Sequence, residues 1–131
     1  MAELLVPISP GELIDKITIL EIKSARIADE QKLHNVRTEL ALLTDTWKAS
    51  PFSSTDISEE WTGLREVNAR LWDIEYDIRD KERAGAFDER FIELARAVYF
   101  TNDERAAIKR RINTRLGSTL VEEKSYADYK R

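Results

Sequence analysis

The sequence contains no cysteine, which removes three kinds of chemistry at once. A chain without thiols forms no disulfide, binds no metal through thiolates and has no thiol nucleophile. It also has a single histidine, His34, so a dinuclear metal site made from paired Glu-x-x-His motifs is excluded. We therefore predict neither a metal nor another cofactor.

Glycine and proline are also scarce, with four and three residues in a chain of 131. Short strands and tight turns depend on both residue types, so their scarcity, with a charged fraction of 35%, favours helices. The length is that of one domain around one core. We predict an all-α bundle of four main helices, with a single domain over 1–117 and a C-terminal tail or arm over 118–131.

The sequence also lacks a cluster of charges of a single sign. The formal net charge is −4 and the basic residues are interleaved with acidic ones, so no face attracts a nucleic-acid backbone. No apolar run approaches the roughly 20 residues that span a bilayer, and the N-terminus lacks a signal-peptide pattern. We expect a cytoplasmic protein that has no nucleic-acid partner and does not enter a membrane.

The first half of the chain carries clear helix signals. Ser9, Pro10 and Glu12 have the spacing of a capping box, which predicts the start of the first helix. A seam of apolar residues in steps of three and four predicts a second helix over about 30–48. The Ser- and Pro-bearing stretch 49–55 is predicted to be the longest loop.

Two glycines mark the ends of the later helices. Gly85 and Gly117 are typical terminators, which places two long helices at about 58–84 and 88–116. Their short connection makes them antiparallel neighbours. A second capping pattern at 101–104 leaves open a kink in the fourth helix.

The first helix is apolar on almost every side. Its apolar residues form one stripe and a group of isoleucines away from it: Leu13, Ile17 and Leu20, then Ile14, Ile19 and Ile22. The helix is either central in the bundle or part of a subunit interface. The tail is either frayed or an arm over a neighbour. The partner that these features predict is a second copy of the chain, held through the first helix and the tail.

Polar residues interrupt the apolar stripes of both long helices. Asn68 and Glu75 break the stripe of the third helix, while Arg105 breaks that of the fourth, with Asn102 and Lys109 at its edges. The hairpin brings these positions together at mid-bundle. They form either a packing network that sets helix pairing or a ligand site, in which Arg105 and Lys109 hold an anionic group.

Aromatic residues flank the same stripes. Trp72, Tyr76 and Tyr99 are candidates for a pocket wall, although side chains of this kind also serve in ordinary helix packing. Two carboxylate pairs have the spacing of magnesium ligands: Glu12 with Asp15, and Asp77 with Asp80. Both pairs are predicted to point outward into solvent.

Four strings of the sequence resemble an uncharacterised bacterial family of small all-helical proteins, a domain of unknown function. They are ISPGELIDKITILEIK at 8–23, LREVNARLWDIE at 64–75, TNDER at 101–105 and EEKSY at 122–126. The resemblance spans nearly the whole chain and implies a helical fold, but no activity.

A second, fainter resemblance is to another uncharacterised helical family with the pattern Asn-x-x-Leu-Trp-x-x-Glu-Asp-x-x-Arg, followed by Asn-x-x-Arg. The matching residues here are Asn68, Leu71, Trp72, Glu75, Arg79, Asn102 and Arg105. Tyr76 stands where that pattern has an acid, so no metal or acid–base role is carried over. This resemblance implies a link to surface-glycan metabolism through neighbouring genes rather than through chemistry.

Three functional hypotheses follow from the residues. The first is a non-catalytic module for self-association or protein interaction. The second is a site for a small molecule, a nucleotide or a sugar phosphate, at the mid-bundle polar cluster. The third is a Mg²⁺-dependent phosphohydrolase.

Overall fold

Four α-helices make up most of the residues that this computed structural model describes, 3–129. They are α1 Pro10–Arg26, α2 Glu30–Ala49, α3 Ser58–Ala84 and α4 Glu89–Leu116. No strand occurs within 3–129, and the predicted all-α class is confirmed. The predicted segments 1–117 and 118–131 both reach beyond the described range, because residues 1, 2, 130 and 131 lie outside it.

The helix ends agree with the capping signals. The Ser9 hydroxyl accepts a hydrogen bond from the Glu12 amide at 3.2 Å, which begins α1. Gly85 and Gly117 end the long helices with φ of 64° and 67°, a backbone that favours glycine. The predicted loop at 49–55 is more ordered than expected, because Pro51–Ser54 forms a short 3₁₀ helix.

The fourth helix is continuous. It is α-helical from Glu89 to Leu116, so the capping pattern at 101–104 does not start a new helix. Ion pairs join it to α3 in antiparallel order: Arg115 with Glu60, Arg70 with Glu104, and Lys81 with Asp88 at the connection.

The first helix lies at the centre of the bundle and packs against α2, α3 and α4. Ile14 and Ile22, two of the isoleucines outside the main stripe, are buried by the chain itself. Ile19 is partly covered and lines a cavity. Of the two interpretations of the first helix, the structure favours the central one. No helix within 3–129 combines the length and apolar character that crossing a bilayer requires.

The described part of the tail lies along α4 of its own chain. Glu122 accepts a hydrogen bond from Lys109 at 2.8 Å, and Glu123 pairs with Arg110 at 3.1 Å. Further along, the Tyr129 hydroxyl donates to the carboxylate of Asp103. The described part of the segment is therefore an arm that packs on α4 of its own chain.

Candidate functional site

A buried carboxylate joins three helices. Asp15 of α1 is 1% exposed and accepts hydrogen bonds from Arg105 of α4, through Nε at 2.9 Å and through Nη2. The amide nitrogen of Asn68 on α3 donates to the same carboxylate at 2.9 Å and to the Thr18 hydroxyl at 3.0 Å. The network is thus charged, buried and internally paired.

The prediction that Asp15 points outward is wrong. Position 15 lies on the side of α1 that faces α3 and α4, and it is therefore shielded from solvent. Its neighbour in the proposed pair, Glu12, is partly buried and accepts a hydrogen bond from Lys109 at 2.7 Å. A buried carboxylate requires a cation, and Arg105 supplies it here. Glu12 and Glu21 on the same helix are only partly buried, so the sequence of α1 alone did not single out Asp15. Asp77 and Asp80 are exposed, as predicted.

Opposing effects set the pKa of Asp15. Burial raises it, but hydrogen bonds from Arg105 and Asn68 lower it by more, so the pKa lies below its ordinary value of 3.8. The same pairing raises the pKa of Arg105, against the effect of burial. Both groups are therefore charged in the folded protein at neutral pH.

A cavity of about 740 Å³ opens beside this network, between α1, α3 and α4. Four of the five polar residues predicted to form a cluster line it: Asn68, Glu75, Asn102 and Arg105. The hairpin thus brings them together, as the positions of the interruptions predicted. The apolar part of the lining includes Ile19 and Ile22 of α1 and Leu71 of α3.

Two of the three predicted wall aromatics line the same cavity. The rings of Trp72 and Tyr76 are stacked, with centroids 5.2 Å apart and an interplanar angle of 28°. Tyr76 is 58% exposed, so much of its surface is open to a bound molecule. Tyr99 is not among the lining residues. It contacts Phe100 and Tyr129 and lines a second cavity under the tail.

Lys109, the fifth residue of the predicted cluster, does not line the cavity. Its ammonium group lies between the carboxylates of Glu12 and Glu122, at 2.7 and 2.8 Å. Burial lowers the pKa of Lys109, but these carboxylates raise it by more. Lys109 therefore anchors the tail to α1 and α4 and is not placed beside Arg105 for a shared anion.

Each arginine that lines the cavity has a carboxylate partner. Arg105 is paired with Asp15, and Arg79 donates to Glu75 at 3.1 Å. The cross-helix partner of Arg105 is thus the missed Asp15, whereas Glu75 pairs within its own helix. Asp80, a further lining residue, pairs with Arg83 at 2.8 Å. The wall therefore presents balanced charge. Within 3–129, no three His, Asp or Glu side chains are grouped to hold a metal ion.

Comparisons with known proteins were made for sequence and for fold. Neither the search of curated protein sequences nor the search of solved structures gave a significant match. A family model does match, over residues 4–129, and its range includes the cavity and the tail. The chain therefore belongs to the family described as "Family of unknown function (DUF6165)".

Proposed function

We propose that this protein binds a small, uncharged, ring-bearing polar molecule, such as a neutral sugar or a nucleoside, in the cavity between α1, α3 and α4. The observation that carries the proposal is the cavity itself. Its volume of about 740 Å³ suits an organic ligand of this size, and it combines an aromatic wall with amide and carboxylate groups.

The lining offers complementary contacts to such a ligand. The exposed surface of Tyr76, stacked on Trp72, provides an apolar platform for a ring. Glu75 and Asp80 supply carboxylate oxygens that accept hydrogen bonds from hydroxyl groups. Asn102 can both donate and accept, and its oxygen accepts a hydrogen bond from Arg105 at 3.5 Å.

The charge pairing supports an uncharged ligand over the nucleotide or sugar phosphate that the sequence suggested. A phosphate that took Arg105 from Asp15 would leave a buried carboxylate without its cation. The loss of one partner of a buried pair costs about 3–5 kcal/mol, which would cancel much of the gain from the new contact. Lys109 is likewise held by two carboxylates, whereas the pair of Arg79 with Glu75 is exposed to solvent and contributes little.

We propose a binding role without catalysis. The most buried carboxylate, Asp15, is held by Arg105 and Asn68, so it is not free to exchange a proton with a ligand. No grouped carboxylates within 3–129 support the Mg²⁺-dependent alternative. A link to surface-glycan metabolism in the bacterial cytoplasm, suggested by the second resemblance, is compatible with a neutral sugar ligand and is part of the proposal.

Self-association is the second candidate, and one observation favours it. Leu4 and Leu5, in the segment before α1, are 93% and 90% exposed. Their burial between two copies would replace the predicted contact through the first helix, which the chain itself covers. Sedimentation analysis of the protein and of a Leu4→Ser, Leu5→Ser variant tests this candidate. A monomer at all concentrations would reject it.

A thermal-shift screen tests the proposed ligand. It compares neutral monosaccharides, methyl glycosides and nucleosides with the corresponding phosphates. A ligand at about one hundred times its Kd adds about 2.7 kcal/mol to the stability of the folded state. We expect a neutral compound to stabilise the protein and its phosphate to stabilise it less.

Variants locate the binding. Tyr76→Ala and Glu75→Gln should remove the stabilisation, while Glu66→Gln, an exposed carboxylate on the same helix, should keep it. Stabilisation that is unchanged in all three variants would place the ligand elsewhere. If no neutral compound of either class stabilised the protein, the proposal would be rejected.

A further inference from the structure

A second cavity adjoins the first one. It has a volume of about 690 Å³ and lies between α4 and the tail, with Tyr99, Tyr126 and Tyr129 in its lining. Asn102 is a lining residue of both cavities, so the two spaces lie on either side of one position of α4.

The tail is held in place to form this wall. The Tyr129 hydroxyl donates to Asp103, and the Tyr129 ring packs edge-on against Tyr99 and Phe100, each with centroids 5.0 Å apart. This hydrogen bond to a carboxylate raises the pKa of Tyr129 to about 12. Nearer α4, Glu122 and Glu123 fix the tail through Lys109 and Arg110.

One aromatic ring in this wall is left open. Tyr126 is 84% exposed, and the ammonium group of Lys124 lies 5.7 Å from the centroid of its ring. A large aromatic surface held beside a cavity by a docked segment gains stability when a planar ring covers it. Asp103, Asp128 and Lys124 also line this second cavity, so a ring that stacks on the tyrosines has polar groups at its edge.

We propose that the tyrosines of the tail form a second subsite, bordered like the central cavity by Asn102, which takes a planar aryl ring. The ligand then has two parts: a polyhydroxylated ring in the central cavity and an aryl group under the tail. The chemical class is an aryl glycoside or a similar conjugate. This inference rests on the proposed function and narrows its ligand.

Paired glycosides of the same sugar provide the test. The 4-nitrophenyl and methyl glycosides of glucose, galactose, mannose and N-acetylglucosamine are titrated into the full-length protein by calorimetry. Stacking of one aromatic ring corresponds to an affinity gain of about three- to tenfold. We expect the aryl glycoside of a bound sugar to bind more tightly by this factor.

Variants of the tail separate this subsite from a general preference for apolar groups. Tyr126→Ala should abolish the aryl preference and leave the affinity for the methyl glycoside unchanged. Leu120→Ala, an exposed apolar residue of the tail that does not line the cavity, should retain the preference. Because Tyr126 is so exposed, its substitution does not disturb the fold.

Each of the remaining outcomes would reject the inference. Equal affinity for aryl and methyl glycosides, or an aryl preference that survives Tyr126→Ala, would overturn the inference and leave the proposed function intact. Binding of nucleosides but of no glycoside would do the same. If neither glycosides nor nucleosides bound, both the inference and the proposed function would fail.

Discussion

Asp15 and Arg105 are 90 positions apart in the sequence, and two hydrogen bonds join their side chains inside the bundle. With Asn68 they connect α1, α3 and α4 beside the central cavity. Because Arg105 also lines that cavity, the pair links stability to the shape and charge of the candidate site.

Asp15→Asn should destabilise the protein. The substitution leaves the partly buried Arg105 without its carboxylate, and we expect a loss of about 2–3 kcal/mol, below the full effect for a buried pair because Arg105 keeps some solvent contact. Urea unfolding measures the change. Asp77→Asn, at an exposed position of α3, should change the free energy by less than about 0.5 kcal/mol. Equal effects would contradict the pairing.

Acid should weaken the wild-type fold more than the Asp15→Asn variant. Since the pKa of Asp15 is lowered on folding, its contribution to stability is present above the ordinary value of 3.8 and is lost as the pH falls through the lowered one. The measurement is the free energy of unfolding of both proteins from about pH 5 to about pH 2. The difference between them should shrink over this range, and a constant difference would refute the assignment.

Two glycine substitutions should act in opposite directions. At Gly11, a Cβ would meet the Lys109 carbonyl oxygen at 2.5 Å and the Asn113 side-chain oxygen at 2.9 Å, so Gly11→Ala forces α1 away from α4. We expect a loss of about 1–3 kcal/mol. At Gly63, inside α3, the nearest atom is the Ile108 Cδ1 at 3.6 Å. Gly63→Ala should therefore stabilise the helix by about 0.5–1 kcal/mol, as thermal unfolding of both variants would show.

Lys109→Met should release the tail. Without the ammonium group, Glu12 and Glu122 lose the cation that holds them together. The ¹⁵N backbone order parameters of residues 120–129 should fall, whereas Arg111→Met, at an exposed position of α4, should leave them unchanged. Unaltered order parameters in the Lys109 variant would show that the tail is held without this contact.

Local signals were sufficient to predict the helices. Ser9 and Gly85 act through contacts within a few residues of themselves, so their roles are visible in the sequence. The meeting of Asn68 with Arg105 was also predictable, because one short turn sets the alignment of the long helices. The carboxylate partner of Arg105 was harder to predict, since it depends on how α1 packs between α3 and α4.

The contacts of the tail could not be predicted from such local signals. Lys109 lies near the apolar stripe of α4. Its ion pairs with Glu12 and Glu122 form only because the tail packs beside α4, which periodicity does not indicate. Tyr99 was predicted to line the central cavity because it flanks the apolar stripe of α4. In the structure it lines the second cavity, together with residues of the tail. Irregular segments carry no periodicity, so their contacts are set by tertiary packing alone.

The most direct test of a ligand site at the central cavity is the set of indole N–H signals in a ¹⁵N–¹H spectrum during titration with a neutral glycoside or nucleoside that stabilises the protein. Trp72 lines the cavity, while Trp47 and Trp61 lie together at a different one and serve as internal controls. The account predicts that the Trp72 signal shifts and saturates while the other two remain in place. Movement of Trp47 and Trp61 with Trp72 unchanged would contradict it.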